Sequence, residues 1–311
     1  MGILEGRIAA VTGAGQGIGR EIARMFAEQG AQVVVNDLGC ATDGTGSAPV
    51  ADAVVAEIEQ SGGRAVANRD DIGTVAGGQG LLQAALDHFG GLDILVNNAG
   101  ILRDRTLFNM EEDDWDAVIR VHLKGHYCCT RPFARYIREH NRTHCRIVNF
   151  SSVSGLFGNF GQSNYGAAKA GVAGFSRVIA LELAKYGCTV NTISPAALTR
   201  MTIPLREGRG ETVSDQDMID DGPQHIAPVV TWLASEAAQH VTGEIIHAAH
   251  GLVGIMQQPA IVRSFQQERA WTLDELDTYM PKLLQAKKQQ DRATADAGKP
   301  ELVKPSWSPL S

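Results

Sequence analysis

Ser152, Tyr165 and Lys169 have side chains and spacings that could move a proton to or from an alcohol oxygen. Tyr165 and Lys169 stand four residues apart in a segment of helical periodicity, so they share a helix face. An ammonium beside a phenol favours the phenolate and lowers a pKa that is ordinarily about 10. A phenol tuned in this way takes a proton from an alcohol as hydride leaves the same carbon, and returns it in the reverse direction. Ser152 lies thirteen residues before Tyr165, just after a β-branched run, where it can hold the substrate oxygen by hydrogen bonding. Alone, a tyrosine and lysine four apart form an ordinary surface pair. The chemical reading comes from their order on one chain with Ser152 and a glycine turn near the N-terminus.

That turn is Thr12-Gly13-Ala14-Gly15-Gln16-Gly17-Ile18-Gly19, with a short apolar run before it and a helical pattern after it. Glycines at such a junction let backbone N–H groups approach a pyrophosphate that faces the positive end of the helix. Asp37 follows Gly19 by 18 residues and closes the second apolar run, the place for a carboxylate that binds ribose hydroxyls and repels a 2′-phosphate. NAD rather than NADP is therefore expected. The competing reading of Asp37 is a turn cap beside Gly39.

Short β-branched runs alternate with longer helical segments, the pattern of β-α-β units. The strands predicted are Arg7 to Thr12, Gln32 to Asp37, Ala65 to Arg69, Asp93 to Asn97, Arg146 to Phe150, Thr189 to Ile193 and Glu244 to Ala248. Helices are expected to begin near Ile18, Val50, Val75, Glu111, Ser163 and His225, the longest running from about Ser163 to Tyr186. The fold class is α/β: a Rossmann-like, doubly wound, seven-stranded parallel sheet with helices on both faces. Gly39 to Ser47 and Pro195 to Pro223 read as mobile loops bordering the substrate, the second closing over it as a lid. The expected division is a catalytic domain at 1–251 and an extension at 252–311. One helix is predicted in the extension, around Leu273 to Gln290, and a polar, proline-bearing tail without fixed structure from Asp291.

The whole composition limits the alternatives. The 311 residues are 44% hydrophobic and 20% charged, enough to build a core by packing alone. A net charge of -7 with no basic cluster argues against a nucleic-acid partner. Five cysteines without a C-x-x-C pair read as reduced thiols, with no metal site and a cytoplasmic location. No apolar run reaches the roughly 18 residues of a membrane span, and no secretory leader is evident at the start.

Over about Leu4 to Gly251 the sequence resembles the short-chain dehydrogenases/reductases. The resemblance rests on Thr12-Gly13-x-x-x-Gly17-x-Gly19, on Asn97-Asn98-Ala99-Gly100 after the fourth strand, and on Ser152, Tyr165 and Lys169. It implies that Lys169, beside Tyr165, also binds nicotinamide-ribose hydroxyls, and that Asp71 and Ile72 flank the adenine. Asn98, followed by Ala99 and Gly100, would support the cofactor, while Pro195 to Thr199, including Leu198, would embrace the carboxamide. Three positions depart from the family pattern. His122 stands where an asparagine is usual, Pro195-Ala196 replaces Pro-Gly, and His250 replaces an aspartate. For His122 two readings remain, a fourth catalytic group holding a relay water or a satisfied structural histidine.

Those departures, with Gly100-Ile101-Leu102-Arg103-Asp104-Arg105 and Gly158-Asn159-Phe160-Gly161-Gln162-Ser163-Asn164-Tyr165, resemble the (3R)-hydroxyacyl-CoA dehydrogenase unit of peroxisomal multifunctional enzymes and its stand-alone bacterial relatives. The resemblance implies oxidation of a secondary alcohol, foremost a 3-hydroxyacyl-CoA, in fatty-acid or sterol side-chain breakdown. Arg103, Arg105, Arg200 and Arg206 are candidates for the CoA phosphates. The alternatives are a hydroxysteroid or other bulky-alcohol dehydrogenase without CoA, and a catalytically silent NAD-binding subunit. The resemblance also implies a homodimer or homotetramer, and the segments Val118 to Tyr136 and Gly166 to Leu183, apolar on more than one side, would bury against a twin.

Overall fold

The structure, a computed structural model, describes residues 2–207, 210 and 212–296. The chain forms two compact units, Met1–Met256 and Gln257–Ser311. In the first, strands β1 (Ile8–Thr12), β2 (Gln32–Asn36), β3 (Arg64–Asn68), β4 (Ile94–Asn97), β5 (Arg146–Phe150), β6 (Thr189–Pro195), β7 (Ile245–Ala249) and β8 (Leu252–Ile255) make one sheet in the order β3-β2-β1-β4-β5-β6-β7-β8. All neighbours are parallel except β7 and β8. The sheet therefore has eight strands rather than the seven expected. The extra one is a four-residue antiparallel edge, reached by a two-residue turn at His250-Gly251 in which Gly251 takes φ +59°.

Alternation along the strands feeds two cores. Ala9, Val11, Val33, Val35, Val96 and Val148 face α1 (Gly17–Glu28), α2 (Val50–Gln60) and α10 (Ala227–Ala234). Their sequence neighbours Ala10, Val34, Leu95 and Ile147 face α3 (Val75–Phe89), α5 (Gly125–Glu139) and α7 (Ser163–Leu183) on the other side. Helices thus cover both faces of the sheet, an α/β Rossmann-like arrangement. The strand order reverses between β1 and β4, and a crevice opens there at the carboxyl ends of the strands.

The seven predicted strands fall within two residues of their expected limits, but three helical features differ from expectation. The helix expected from Glu111 is two helices, α4 (Glu112–Ile119) and α5, joined by a π-helical turn over Arg120–Lys124. A short helix, α6 (Val153–Phe157), follows β5. The segment read as a mobile loop from Pro195 to Pro223 contains α8 (Ile203–Glu207) and α9 (Asp215–Asp221), the latter begun by a capping box between Ser214 and Asp217.

The second unit contains α11 (Leu273–Asp296), six residues longer than expected. Within this unit Phe265 and Trp271 pack edge-on against Tyr279, and Arg269 pairs with Glu275 at 2.6 Å. The rest of the tail expected from Asp291, residues 297–311, lies outside the described residues. Among the described residues no helix is long and apolar enough to cross a membrane.

Candidate active site

The glycine turn after β1 packs directly on the segment after β4. Thr12 Oγ1 accepts hydrogen bonds from the Asn98 and Ala99 N–H groups at 3.0 and 3.1 Å. Asn98 Nδ2 donates to the Thr12 and Gly13 carbonyls. Gly13 has φ +64°, and a Cβ on it would lie 2.7 Å from Ala99 Cα, so a side chain is excluded there by both conformation and space. Asp37, just past β2, accepts from the N–H of Gly15 at 2.9 Å and of Gly39 at 2.7 Å.

One cleft gathers Gly13, Gln16, Gly17 and Ile18 with Asp37, Asp71, Ile72, Asn98, Ala99, Gly100 and Thr199. These come from the first, second, third, fourth and sixth strand ends, as the expected cofactor site requires. Thr12, Gly19, Pro195 at the end of β6 and Leu198 do not line the cleft, and the Leu198 N–H donates to the Asp221 carbonyl. Loop 39–47, expected beside the substrate, borders this cleft through Cys40, Ala41 and Gly44. Arg103 and Arg200 tie that loop down by donating to the Asp43 and Cys40 carbonyls, both at 2.9 Å. Arg120, absent from the sequence reading, also lines the cleft and pairs with Asp71 at 2.6 Å.

The three proton-handling candidates come together without lining this cleft themselves; Tyr165 lies against His122, which is bonded to Ile101 on the cleft wall. Ser152 caps α6 by accepting from the Ser154 N–H at 3.2 Å, and its hydroxyl is near enough to the Tyr165 phenol to favour the phenolate. Lys169 donates to the Phe150 carbonyl at 2.6 Å, with its Nζ 5.6 Å from the centre of the Tyr165 ring. Burial governs both titrations. It pushes the Tyr165 phenol up to about 12 against the effect of the Ser152 hydroxyl, and brings the Lys169 ammonium down to about 7. The phenol is therefore raised rather than lowered as expected, because desolvation is the largest influence on it and Lys169 is not among the groups that bring it down.

His122 lies in the π-helical turn, buried, with its ring edge-on to Tyr165 at 5.1 Å. Its Nε2 lies 2.8 Å from the Ile101 carbonyl and 3.1 Å from the Ile101 N–H, while Nδ1 is buried without a hydrogen-bond partner. Burial, with the Lys169 charge second, pushes its pKa well below the usual imidazole range. A Cβ on Gly100 would come within 2.3 Å of the His122 ring, which makes Gly100 the residue that admits the imidazole.

The loop after β4 is sewn to the start of α7. Gln162 donates to Asp104 at 2.7 Å, and Asn164 donates to the Arg103 and Asp114 carbonyls while accepting from the Tyr165 N–H. Burial raises the Asp104 carboxyl, and its negative charge adds to the upward shift of Tyr165. These residues were visible in the sequence only as parts of two motifs without individual roles. His126, one helical turn after His122 and also buried, was missed altogether, although its i, i+4 spacing from His122 was a readable signal. Of the proposed phosphate ligands, Arg103 and Arg200 are held by carbonyls and Arg206 by Asp221 at 3.0 Å. Arg105, its side chain 62% exposed, stands 3.9 Å from Asp114.

Comparisons with known proteins agree with this geometry. The family model described as short chain dehydrogenase matches residues 7–210. Hydroxyacyl-CoA dehydrogenase ChsB1 of Mycobacterium tuberculosis is 42% identical over 281 residues, covering 88% of this chain and 87% of that one. Peroxisomal multifunctional enzyme type 2 of Mus musculus is 43% identical over 269 residues, covering 85% of this chain, which spans only 35% of that longer polypeptide. A crystal structure of a short chain dehydrogenase from Mycobacterium avium matches with a TM-score of 0.80 at 42% identity, over 91% of this chain and 96% of that one.

Proposed function

Because the chain belongs to the short-chain dehydrogenase family, close to the dehydrogenase unit of multifunctional enzyme type 2, we propose that it oxidises a (3R)-3-hydroxyacyl-CoA to the 3-ketoacyl thioester with NAD. Oxidoreductase chemistry with a nicotinamide dinucleotide is the family's activity. The observation that carries the reading is the meeting of Ser152, Tyr165 and Lys169 beside His122, which is bonded to Ile101 on the wall of the glycine-lined cleft.

The cleft fits such a cofactor: Gly13 leaves backbone rather than side chain at the turn, and Asp37 is anchored at the end of β2. Gly13, Gln16, Gly17 and Ile18 would hold the pyrophosphate, Asp37 the adenosine ribose, and Asp71 with Ile72 the adenine. When bound, the nicotinamide supplies the hydride acceptor. Ser152 would bind the substrate oxygen, and Tyr165 Oη would take its proton in oxidation or return one to a ketone. With its pKa raised by burial, the phenol is ready to donate. Oxidation needs the phenolate, and the Lys169 ammonium favours that form. The Asp37 carboxylate supports NAD over NADP, since it would repel a 2′-phosphate.

The thioester reading is supported by the names of the relatives, and Arg105, 62% exposed, remains a candidate guanidinium for a CoA phosphate. The five unpaired cysteines support a reducing compartment such as the cytoplasm. A groove between α5 and α7, lined by Tyr127, Ala134, Phe175 and Ile179, supports assembly as a homodimer or homotetramer. The test of the activity is a screen of 3-hydroxyacyl-CoAs of increasing size and both configurations, with NAD and with NADP. Turnover of (3R) thioesters with NAD is expected. Equal efficiency on the free alcohols would remove CoA from the proposal, and a preference for NADP would overturn the role given to Asp37.

A further inference from the structure

The π-helical turn leaves an unusual line of hydrogen bonds behind the catalytic lysine. His126, on the first turn of α5, is 2% exposed and contributes nothing to the surface of the cleft. Its Nδ1 lies 2.5 Å from the His122 carbonyl. A carbonyl can only accept, so Nδ1 carries the ring proton and donates it. Burial, together with the Lys169 charge, pushes the His126 pKa down to about 3, which leaves the ring neutral with a single proton. Nε2 is then a bare acceptor facing the Phe150 N–H at 3.4 Å, a long bond, and the Asn97 backbone is the ring's other polar neighbour. The same residue, Phe150, offers its carbonyl to Lys169 Nζ at 2.6 Å.

We infer that His126 is a positioning residue for Lys169: the imidazole, anchored to the His122 carbonyl in the π-helical turn, fixes Phe150, and the Phe150 carbonyl fixes the ammonium. The line joins the turn between α4 and α5 to the end of β5 and so to the middle of α7, three elements that are not adjacent in sequence. A hydrogen bond from an ammonium to a carbonyl stabilises the charged form, so the ring also helps to keep the lysine protonated. Without the imidazole, Phe150 loses its hydrogen bond to His126 and Lys169 is less well held in place.

The inference rests on the proposed role of Lys169, and the test separates the two. In His126→Leu both ring bonds are lost, whereas His126→Gln can return an oxygen acceptor to the place of Nε2. With whichever alcohol or ketone the wild-type protein turns over, His126→Leu is expected to lower kcat at least about tenfold. The alkaline limb of its pH profile should move to lower pH by about half a unit or more. His126→Gln should recover to within about threefold of the wild type. A crystal structure of His126→Leu gives a readout independent of turnover and is expected to show Lys169 Nζ displaced from the Phe150 carbonyl. The inference is overturned if His126→Leu retains wild-type kcat and pH profile, if His126→Gln is no better than His126→Leu, or if Nζ stays at the Phe150 carbonyl in the variant. A wild-type chain inactive on hydroxyacyl-CoAs would sink the proposed substrate and leave the crystallographic result to decide the role of His126.

Discussion

Tyr165 and Lys169 show how far burial controls single residues here, since the phenol is held up at about 12 and the ammonium down at about 7. At neutral pH the phenol carries its proton and the lysine divides between its two forms. The same cause acts on the histidines, and with them it bears on stability. His126 titrates at about 3 in the folded chain against an ordinary 6.5. Between those values the unfolded chain binds more protons than the folded one, so stability rises with pH across that window and is complete above about 6.5. His122 acts in the same direction. Lys169, lowered from 10.5, makes stability rise again between about 7 and 10.5. Urea unfolding should therefore show stability falling by about 1 kcal/mol per pH unit for His126 alone as pH drops from 6.5 toward 3. That slope should be shallower in His126→Gln; identical slopes would mean that the imidazole is not held neutral in the fold.

The helices divide sharply between what periodicity reveals and what it hides. The strands and α1, α2, α3 and α7 were legible because their apolar spacing is regular and caps or glycines bound them. The π-helical turn was not, since one extra residue per turn over Arg120–Lys124 leaves no mark in a pattern sampled at helical spacing. Yet it carries Arg120 and His122 and sets the direction of His126. Helices α8 and α9 were hidden by proline, glycine and charge, although the Ser214-x-x-Asp217 capping box was there to be read. Strand β8 was hidden because a four-residue run after Gly251 is too short to show alternation. The outer face of α7, by contrast, was legible, and Val178 and Leu181 on it are 54% and 81% exposed. If that face is the assembly surface, Leu181→Glu should reduce the mass measured by light scattering by about half or more. An unchanged mass would place the contact elsewhere.

At the scale of the whole molecule, function follows from where the strand order reverses. The glycine turn, Asp37 and Asn98 come from three strand ends at the reversal, and β5 brings Ser152 toward Tyr165 and Lys169 on α7. The sequence makes this assembly readable because each component is a local motif, while the sheet supplies the distances. What it leaves unread is the scaffold around the motifs: Asp104, Gln162, Asn164 and His126 act through side-chain bonds across long sequence separations. The proposed chemistry depends on Tyr165 Oη as the group that exchanges a proton with the substrate oxygen. The most direct test is the turnover of Tyr165→Phe measured alongside its NADH affinity by fluorescence titration. Turnover is expected to fall by about a hundredfold to ten-thousandfold with NADH affinity nearly unchanged. Turnover within a few-fold of the wild type would contradict this chemistry.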